Sequence, residues 1–115
     1  MLKQALQKFF ILEGVSSAMV IGKDGEVVEK VESGSHDDRH VAAVVAFVMA
    51  ESRAMATQLG QENLSMVFVE FQDKALMSVP LKDDLYLVLI ANAQANIAKI
   101  GRELKKNRDL IHSMV

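Results

Sequence analysis

The residues best suited to chemistry in this chain stand just before its longest apolar run: His36, Asp37, Asp38 and His40. Two imidazoles and a carboxylate at such spacing form a donor set that a transition metal such as zinc would accept. The same stretch, S-G-S-H-D-D, also has the composition of a loop that delivers a helix cap. Asp37 or Asp38 would accept the free N–H groups at the start of the next helix and sit at the positive end of its dipole. A cap-and-loop role explains these residues without a metal, so neither a metal nor a cofactor is expected. The G-K-D-G at 22–25 lacks the G-x-x-x-x-G-K-[ST] pattern of a phosphate loop, and its Asp24-Gly25 already has a turn to make. His112 sits where the last helix ends and is most simply a partner for the negative dipole end. No Ser/His/Asp order and no isolated carboxylate pair in a glycine-rich setting marks a catalytic centre. The expectation is a protein that is not an enzyme.

Composition narrows the classes further. With 115 residues, 50% hydrophobic and 24% charged, and a mean hydropathy of +0.17, the chain fits one globular domain over 1–115. A net charge of −2 and a pI near 5.9 give no field for gripping a polyanion, so nucleic acid is not an expected partner. Cysteine is absent, which removes disulfides, thiolate nucleophiles and zinc-finger ligand sets together. The N-terminal M-L-K-Q-A-L-Q-K-F-F has no uninterrupted apolar core or small-residue cleavage site, so a cytoplasmic location is expected.

The element that must position everything else spans 38–59, D-R-H-V-A-A-V-V-A-F-V-M-A-E-S-R-A-M-A-T-Q-L. Its first half is apolar on every side, and a helix of that kind is expected to be buried on every side. At 100° per residue Val41, Val44, Val45, Val48, Met55 and Leu59 share one face, suited to packing on a sheet. Ala43, Ala46, Ala50, Ala54 and Thr57 form a stripe opposite, flanked by Phe47, where a second backbone can come close. A chain this short has few spare elements to cover that stripe, so it is expected to meet another molecule. Unbroken apolarity runs only over 41–50 before Glu51 and Arg53, about half the roughly 20 residues a membrane span needs.

Around that helix the rest of the chain alternates. Leu2, Ala5, Leu6, Phe9 and Leu12 follow helical spacing up to Gly14, with Phe9 and Phe10 as core anchors. Strand-like runs at 17–22 and 26–32 flank Asp24-Gly25, a strong hairpin signal. Gly60 ends the central helix. Three more strand-like runs follow at 64–71, 75–81 and 85–91, separated by turn residues. The last of these, L-Y-L-V-L-I-A, is apolar on both pleat faces, which marks a central strand covered on both sides. The closing helix, over 94–114 with a cap near Asn92, turns Ile97, Ile100, Leu104 and Ile111 inward. Lys99, Arg102, Lys105, Lys106 and Arg108 point largely outward, where a solvated face is the simplest role and anionic lipid or an acidic partner the alternative. The order α-β-β-α-β-β-β-α with tight connections predicts a three-layer α/β/α sandwich on a five-stranded antiparallel sheet, an α+β fold. The run at 65–71 has alternating apolar residues and no lysine, proline or glycine. At a sheet edge it would be open to pairing with another chain.

Three stretches together resemble the roadblock/dynein light chain domain family: L-E-G-V-S-S-A-M-V-I-G-K-D-G-E-V-V-E-K, H-V-A-A-V-V-A-F-V-M-A-E-S-R-A-M-A-T-Q-L-G and L-Y-L-V-L-I-A-N-A-Q-A-N-I-A-K-I-G-R-E-L-K-K. The most specific matches are Gly14-Val15, Asp24-Gly25 and Ala95-Asn96-Ile97, in register over nearly the whole chain. The chain departs at Ala98, where the family often has glycine, and at Gly101-Arg102. The resemblance implies a sheet order 2-1-5-4-3 and dimers that pair their third strands, with central helices antiparallel across the two-fold axis. It thereby implies Ala43, Ala46, Phe47, Ala50 and Ala54 at the helix pair and Met66, Phe68 and Glu70 on the paired strand.

Members of that family are non-enzymatic regulators or adaptors. The stand-alone prokaryotic ones, as in MglB-type polarity regulators, accompany small Ras-like GTPases. The expected function is therefore a homodimeric scaffold that binds such a GTPase and alters its nucleotide cycle or localisation. Arg39, Glu51, Arg53 and Gln58, at the margins of the two apolar helix faces, are the expected contacts. The alternative is a sensor-like module holding a small ligand between sheet and helix. Such a pocket needs converging polar groups, and the sheet-facing side of the central helix offers only Ser52.

Overall fold

The computed structural model describes residues 1–32, 37–82, 84–92 and 94–115. Helix α1 (Leu2–Gln7) tightens into a 3-10 turn (Lys8–Ile11) and is followed by strands β1 (Val15–Gly22) and β2 (Val27–Glu32). Helix α2 (Asp38–Gln58), strands β3 (Val67–Glu70), β4 (Lys74–Pro80) and β5 (Leu85–Asn92), and helix α3 (Ile97–Met114) complete the chain. The sheet runs β2-β1-β5-β4-β3 with every neighbouring pair antiparallel. Element order, strand order and layering are those expected.

Pleat alternation in β5 builds two cores at once. Tyr86, Val88 and Ile90 pack under α2 with Met19 and Ile21, while Leu87, Leu89 and Ala91 face α1 and α3 with Leu6, Phe9, Leu104 and Ile111. That division is why this strand is apolar at consecutive positions. Phe9 is fully buried and Phe10 packs on the same core from a half-buried position.

The face of α2 that meets the sheet differs from the one expected. The helix buries Asp38, Ala42, Val45, Ala46 and Met49, and leaves Ala43, Val44, Phe47, Ala50, Ala54, Met55 and Leu59 exposed. Relative to the branched face the helix is turned by roughly one residue's 100°. Ala46 thus lies under the helix, 4% exposed, and not on the outward stripe, while Val44, Met55 and Leu59 are outward and not on the sheet. Size explains the choice. The sheet presents Met19, Ile21, Tyr86 and Ile90; Ala42 and Ala46 let the helix backbone come close to them, while Val45 and Met49 fill the remaining space. Nor is the helix buried on every side, since Phe47 is 65% exposed.

Boundaries moved where capping groups compete. Asn92 Oδ1 accepts from the Gln94 N–H at 3.0 Å and makes a local turn, whereas Asn96 Oδ1 accepts from the Lys99 N–H at 3.1 Å. The second is the true cap, so α3 starts at Ile97 and not at 94. β3 is shorter than 64–71. Leu64 packs toward α2 and Met66 toward the α1–α3 core before pairing begins at Val67.

Candidate interaction surface

Three contacts among the described residues help to fix the start of α2. Asp37 caps it, its carboxylate accepting from the His40 N–H at 3.2 Å. Asp38, buried, receives the Lys30 ammonium of β2 at 2.8 Å. The hydrogen bond to Asp38 and its charge, with a smaller contribution from Glu32, raise the Lys30 pKa above its ordinary value of 10.5. Gly25, with φ +86°, brings the first hairpin so near that an added Cβ would stand 3.0 Å from the Ala43 Cα. Ala43 is small for that approach as well as for any outside contact. His36 lies outside the described residues. Among those described, no group of three or more His, Cys, Asp and Glu is positioned to hold a metal ion.

Past this anchor the outer face of α2 is apolar and open. Val44, Phe47, Ala50, Ala54 and Met55 follow one another at spacings of one to four residues, with Glu51 and Gln58 exposed among them. Between this face and the β3–β4 side of the sheet runs a groove of about 490 Å³. Val41, Val44 and Val48 line it from the helix, and Val67, Val69, Phe71 and Leu76 from the sheet. Ser78 lines it too, with a hydroxyl that is buried and has no protein partner. Ser52, the polar group expected there, donates instead to the Val48 carbonyl of its own helix at 2.7 Å.

The groove opens beside an edge. β3 ends the sheet with one neighbour, β4. The opposite edge, β2, alternates Glu29, Lys30 and Glu32 with valines and is thereby protected from stray pairing. β3 is V-F-V-E, with only Glu70 charged, and Phe71 beyond it is 56% exposed. Phe68 and Glu70 face the side of the α1–α3 layer, opposite Met77 and Ala75 of β4. Met66 precedes the strand and sits beneath α3, its methyl 4.0 Å from where a Gly101 Cβ would be, so it is not a strand residue.

The four residues expected to contact a GTPase do not form one patch. Glu51 and Gln58 point outward with the apolar face, and Arg39 is exposed at the first turn of the helix beside the hairpin. Arg53 turns to the sheet side, where its guanidinium lies 5.2 Å from the Tyr86 ring centroid and 3.6 Å from Asp84. Sequence reasoning missed Lys30, Asp84 and Tyr86. The one available signal was that Tyr86 is the sole tyrosine and sits in an otherwise aliphatic strand.

The three most specific family-like motifs each have a structural reason. Gly14, at φ +93°, lies so close to Ala95 that a Cβ would stand 2.5 Å from the Ala95 Cβ. Asp24 accepts from the Glu26 N–H at 3.1 Å while Gly25 takes the positive φ of the hairpin. Asn96 caps α3 as described. Comparison with known proteins agrees with this geometry. An uncharacterised protein of Methanocaldococcus jannaschii is 26% identical over 114 residues, 99% of each chain. The Roadblock/LC7 domain from Streptomyces avermitilis superposes with a TM-score of 0.83 at 18% identity, covering 98% of this chain and 92% of that one. Myxococcus xanthus MglB does so with a TM-score of 0.89 at 15% identity, covering 98% and 93%. At such identities these two likenesses establish the fold. Residues 1–91 match the Roadblock/LC7 domain, and the chain belongs to that family.

Proposed function

We propose that this protein is a single roadblock-like domain that acts as a non-enzymatic homodimeric scaffold, binding a small Ras-like GTPase and modulating its nucleotide cycle or localisation. The observation that carries the reading is the outward apolar face of α2, from Val44 through Phe47, Ala50 and Ala54 to Met55, running beside the open β3 edge. Fully burying a large apolar side chain contributes roughly 1.5–3 kcal/mol. A second copy covering Val44, Phe47 and Met55 while β3 pairs with β3 would remove both liabilities in one symmetric contact. Proteins that match this fold include a structure described as MglB with a tetrameric arrangement, which supports an assembly built from more than one copy.

On this reading Phe47, Ala50 and Ala54 meet across the two-fold axis, and Phe68 and Glu70 flank the joined strands. Glu51, Gln58 and Arg39 remain for a third protein. Arg53 acts indirectly, by holding the β4–β5 connection against the helix through Asp84. The test is to titrate a Ras-like GTPase from the same organism, loaded with GDP or with a non-hydrolysable GTP analogue, into the protein. Binding that depends on the nucleotide and weakens at least tenfold in Glu51→Arg is expected. Equal failure of both nucleotide states to bind, for every such GTPase of the organism, would refute the GTPase reading while leaving the dimer open to light scattering.

A further inference from the structure

Charge in this molecule is segregated by layer. The α1–α3 layer, residues 2–11 and 97–114, carries seven Lys and Arg against two Asp and Glu, whereas the remainder carries six against thirteen. A net charge of −2 therefore conceals a basic helical layer and an acidic remainder. Lys3, Lys8, Lys99, Arg102, Lys105 and Lys106 are all exposed, and among the described residues none of them is in an ion pair. Ile11 and Leu110 project from the same layer, 84% and 41% exposed.

From this arrangement we infer that the α1–α3 face is a docking surface for an anionic lipid bilayer, holding the α2 side toward solvent. Three features favour a bilayer over other anionic partners. Five of the seven cations are lysines, flexible point charges that suit a fluid layer of headgroups, while protein interfaces favour arginine and exclude lysine. The cations occupy 99–108 of α3, about 14 Å along that helix, and continue onto α1 at Lys3 and Lys8, a two-helix area that suits an extended surface. Exposed Ile11 and Leu110 beside them are the apolar side chains that a headgroup region accepts and a polyanion does not.

Pairing through β3 would set two such layers on the same side of one continuous sheet and double the basic area. That doubling rests on the proposed dimer, but the segregation of charge does not. A monomer that binds vesicles would overturn the dimer alone, and a dimer that ignores them would overturn this inference alone.

The experiment is flotation with vesicles of phosphatidylcholine, with or without about a third phosphatidylserine, at about 0.05 M and about 0.5 M salt. Retention on the anionic vesicles at low salt is expected. It should fall at least tenfold at high salt and in the variant Lys99→Glu, Arg102→Glu, Lys105→Glu, Lys106→Glu, with Lys3→Glu, Lys8→Glu as an independent pair on the other helix. The chain has no tryptophan, so Ile11→Trp gives a single reporter of orientation, and Leu59→Trp, at the 68% exposed residue that caps the end of α2, its control. Emission should shift to the blue with anionic vesicles at position 11 and stay fixed at position 59. Absence of retention at low salt, equal retention by neutral vesicles, or reversals that bind as wild type would each overturn the proposal. Capture by polyglutamate or an oligonucleotide through the same lysines, without the shift at Ile11→Trp, would also overturn it, in favour of an acidic protein or a generic polyanion site.

Discussion

Arg53 of α2 stands over the ring of Tyr86 in β5, 5.2 Å from its centroid, and reaches Asp84 at 3.6 Å in the turn just before that strand. The same Asp84 accepts from the Lys23 N–H of the first hairpin at 2.9 Å and takes a positive φ of 59°. One arginine thus ties the central helix to the middle of the sheet and to a strained turn that the hairpin also grips.

The ion pair is half exposed on both sides, so it contributes within the roughly 0–1 kcal/mol of surface pairs, and the ring contact adds about 0.5–1 kcal/mol. Arg53→Ala should lower stability by about 1 kcal/mol in urea unfolding. Arg53→Glu should cost more, because it faces Asp84 with a like charge. Oligomeric mass should not change in either. A loss below about 0.3 kcal/mol in Arg53→Ala would show that the ring contact contributes nothing measurable.

Ala50 lies in the centre of the outward face of α2, so Ala50→Glu should break the proposed dimer and leave the fold intact. A carboxylate desolvated at a close helix contact without a partner costs several kcal/mol, whereas on a free monomer it stays in water. Light scattering should fall from twice the 12.7 kDa chain mass to the single value, with the circular dichroism spectrum retained. A variant that keeps the dimer mass at micromolar concentration would remove this face from the contact.

Two glycines separate conformational from steric cost. Gly60, at φ +71°, has nothing within 4 Å of a built Cβ, so Gly60→Ala should cost only the backbone penalty of about 1–2 kcal/mol. Gly14, at φ +93°, would add a contact of 2.5 Å with Ala95, and Gly14→Ala should cost clearly more, about 3 kcal/mol or above. Equal losses for the two in thermal unfolding would mean that Ala95 and the start of α3 give way freely.

Lys30 predicts an alkaline limb. Its folded pKa is raised, first by the hydrogen bond to Asp38, so its contribution is fully present below the ordinary value of 10.5 and is lost as pH rises through the folded value. Lys30→Met should be less stable than wild type near neutrality because it leaves Asp38 buried without its ammonium. The difference between the two proteins should narrow as pH climbs above 10.5. Urea midpoints that keep a constant gap through that range would contradict the linkage.

Much of this molecule is legible in its residues taken locally. Helical spacing from Leu2 to Leu12 and from Ile97 to Ile111, the Asp24-Gly25 turn, and the unbroken apolar run of β5 each carry a periodicity that only one element satisfies. Their order then leaves one sheet and two helical layers. The open quality of β3 was visible as well, because protection of an edge is written in charges, and V-F-V-E has one where β2 has three. Element ends were less legible: Asn92 and Asn96 are equally good caps by type, and only the folded chain shows that Asn96 caps α3 while Asn92 makes a local turn.

The sequence by itself determined the elements, their order and the presence of one sheet, all of which follow from local pattern and count. Tertiary structure alone decided which stripe of α2 meets the sheet. A helix apolar all round has no hydrophobic preference among its faces, so the choice falls to volume, and volume is matched between layers distant in sequence: the face that mixes Ala42 and Ala46 with Val45 and Met49 fits against Tyr86, Met19 and Ile21. That one rotation buried Ala46, exposed Val44 and Met55, turned Arg53 onto Tyr86 and opened the groove beside β3. No window of neighbouring residues contains the reason, because the side chains that settle it come from strands on either side of the helix in the chain.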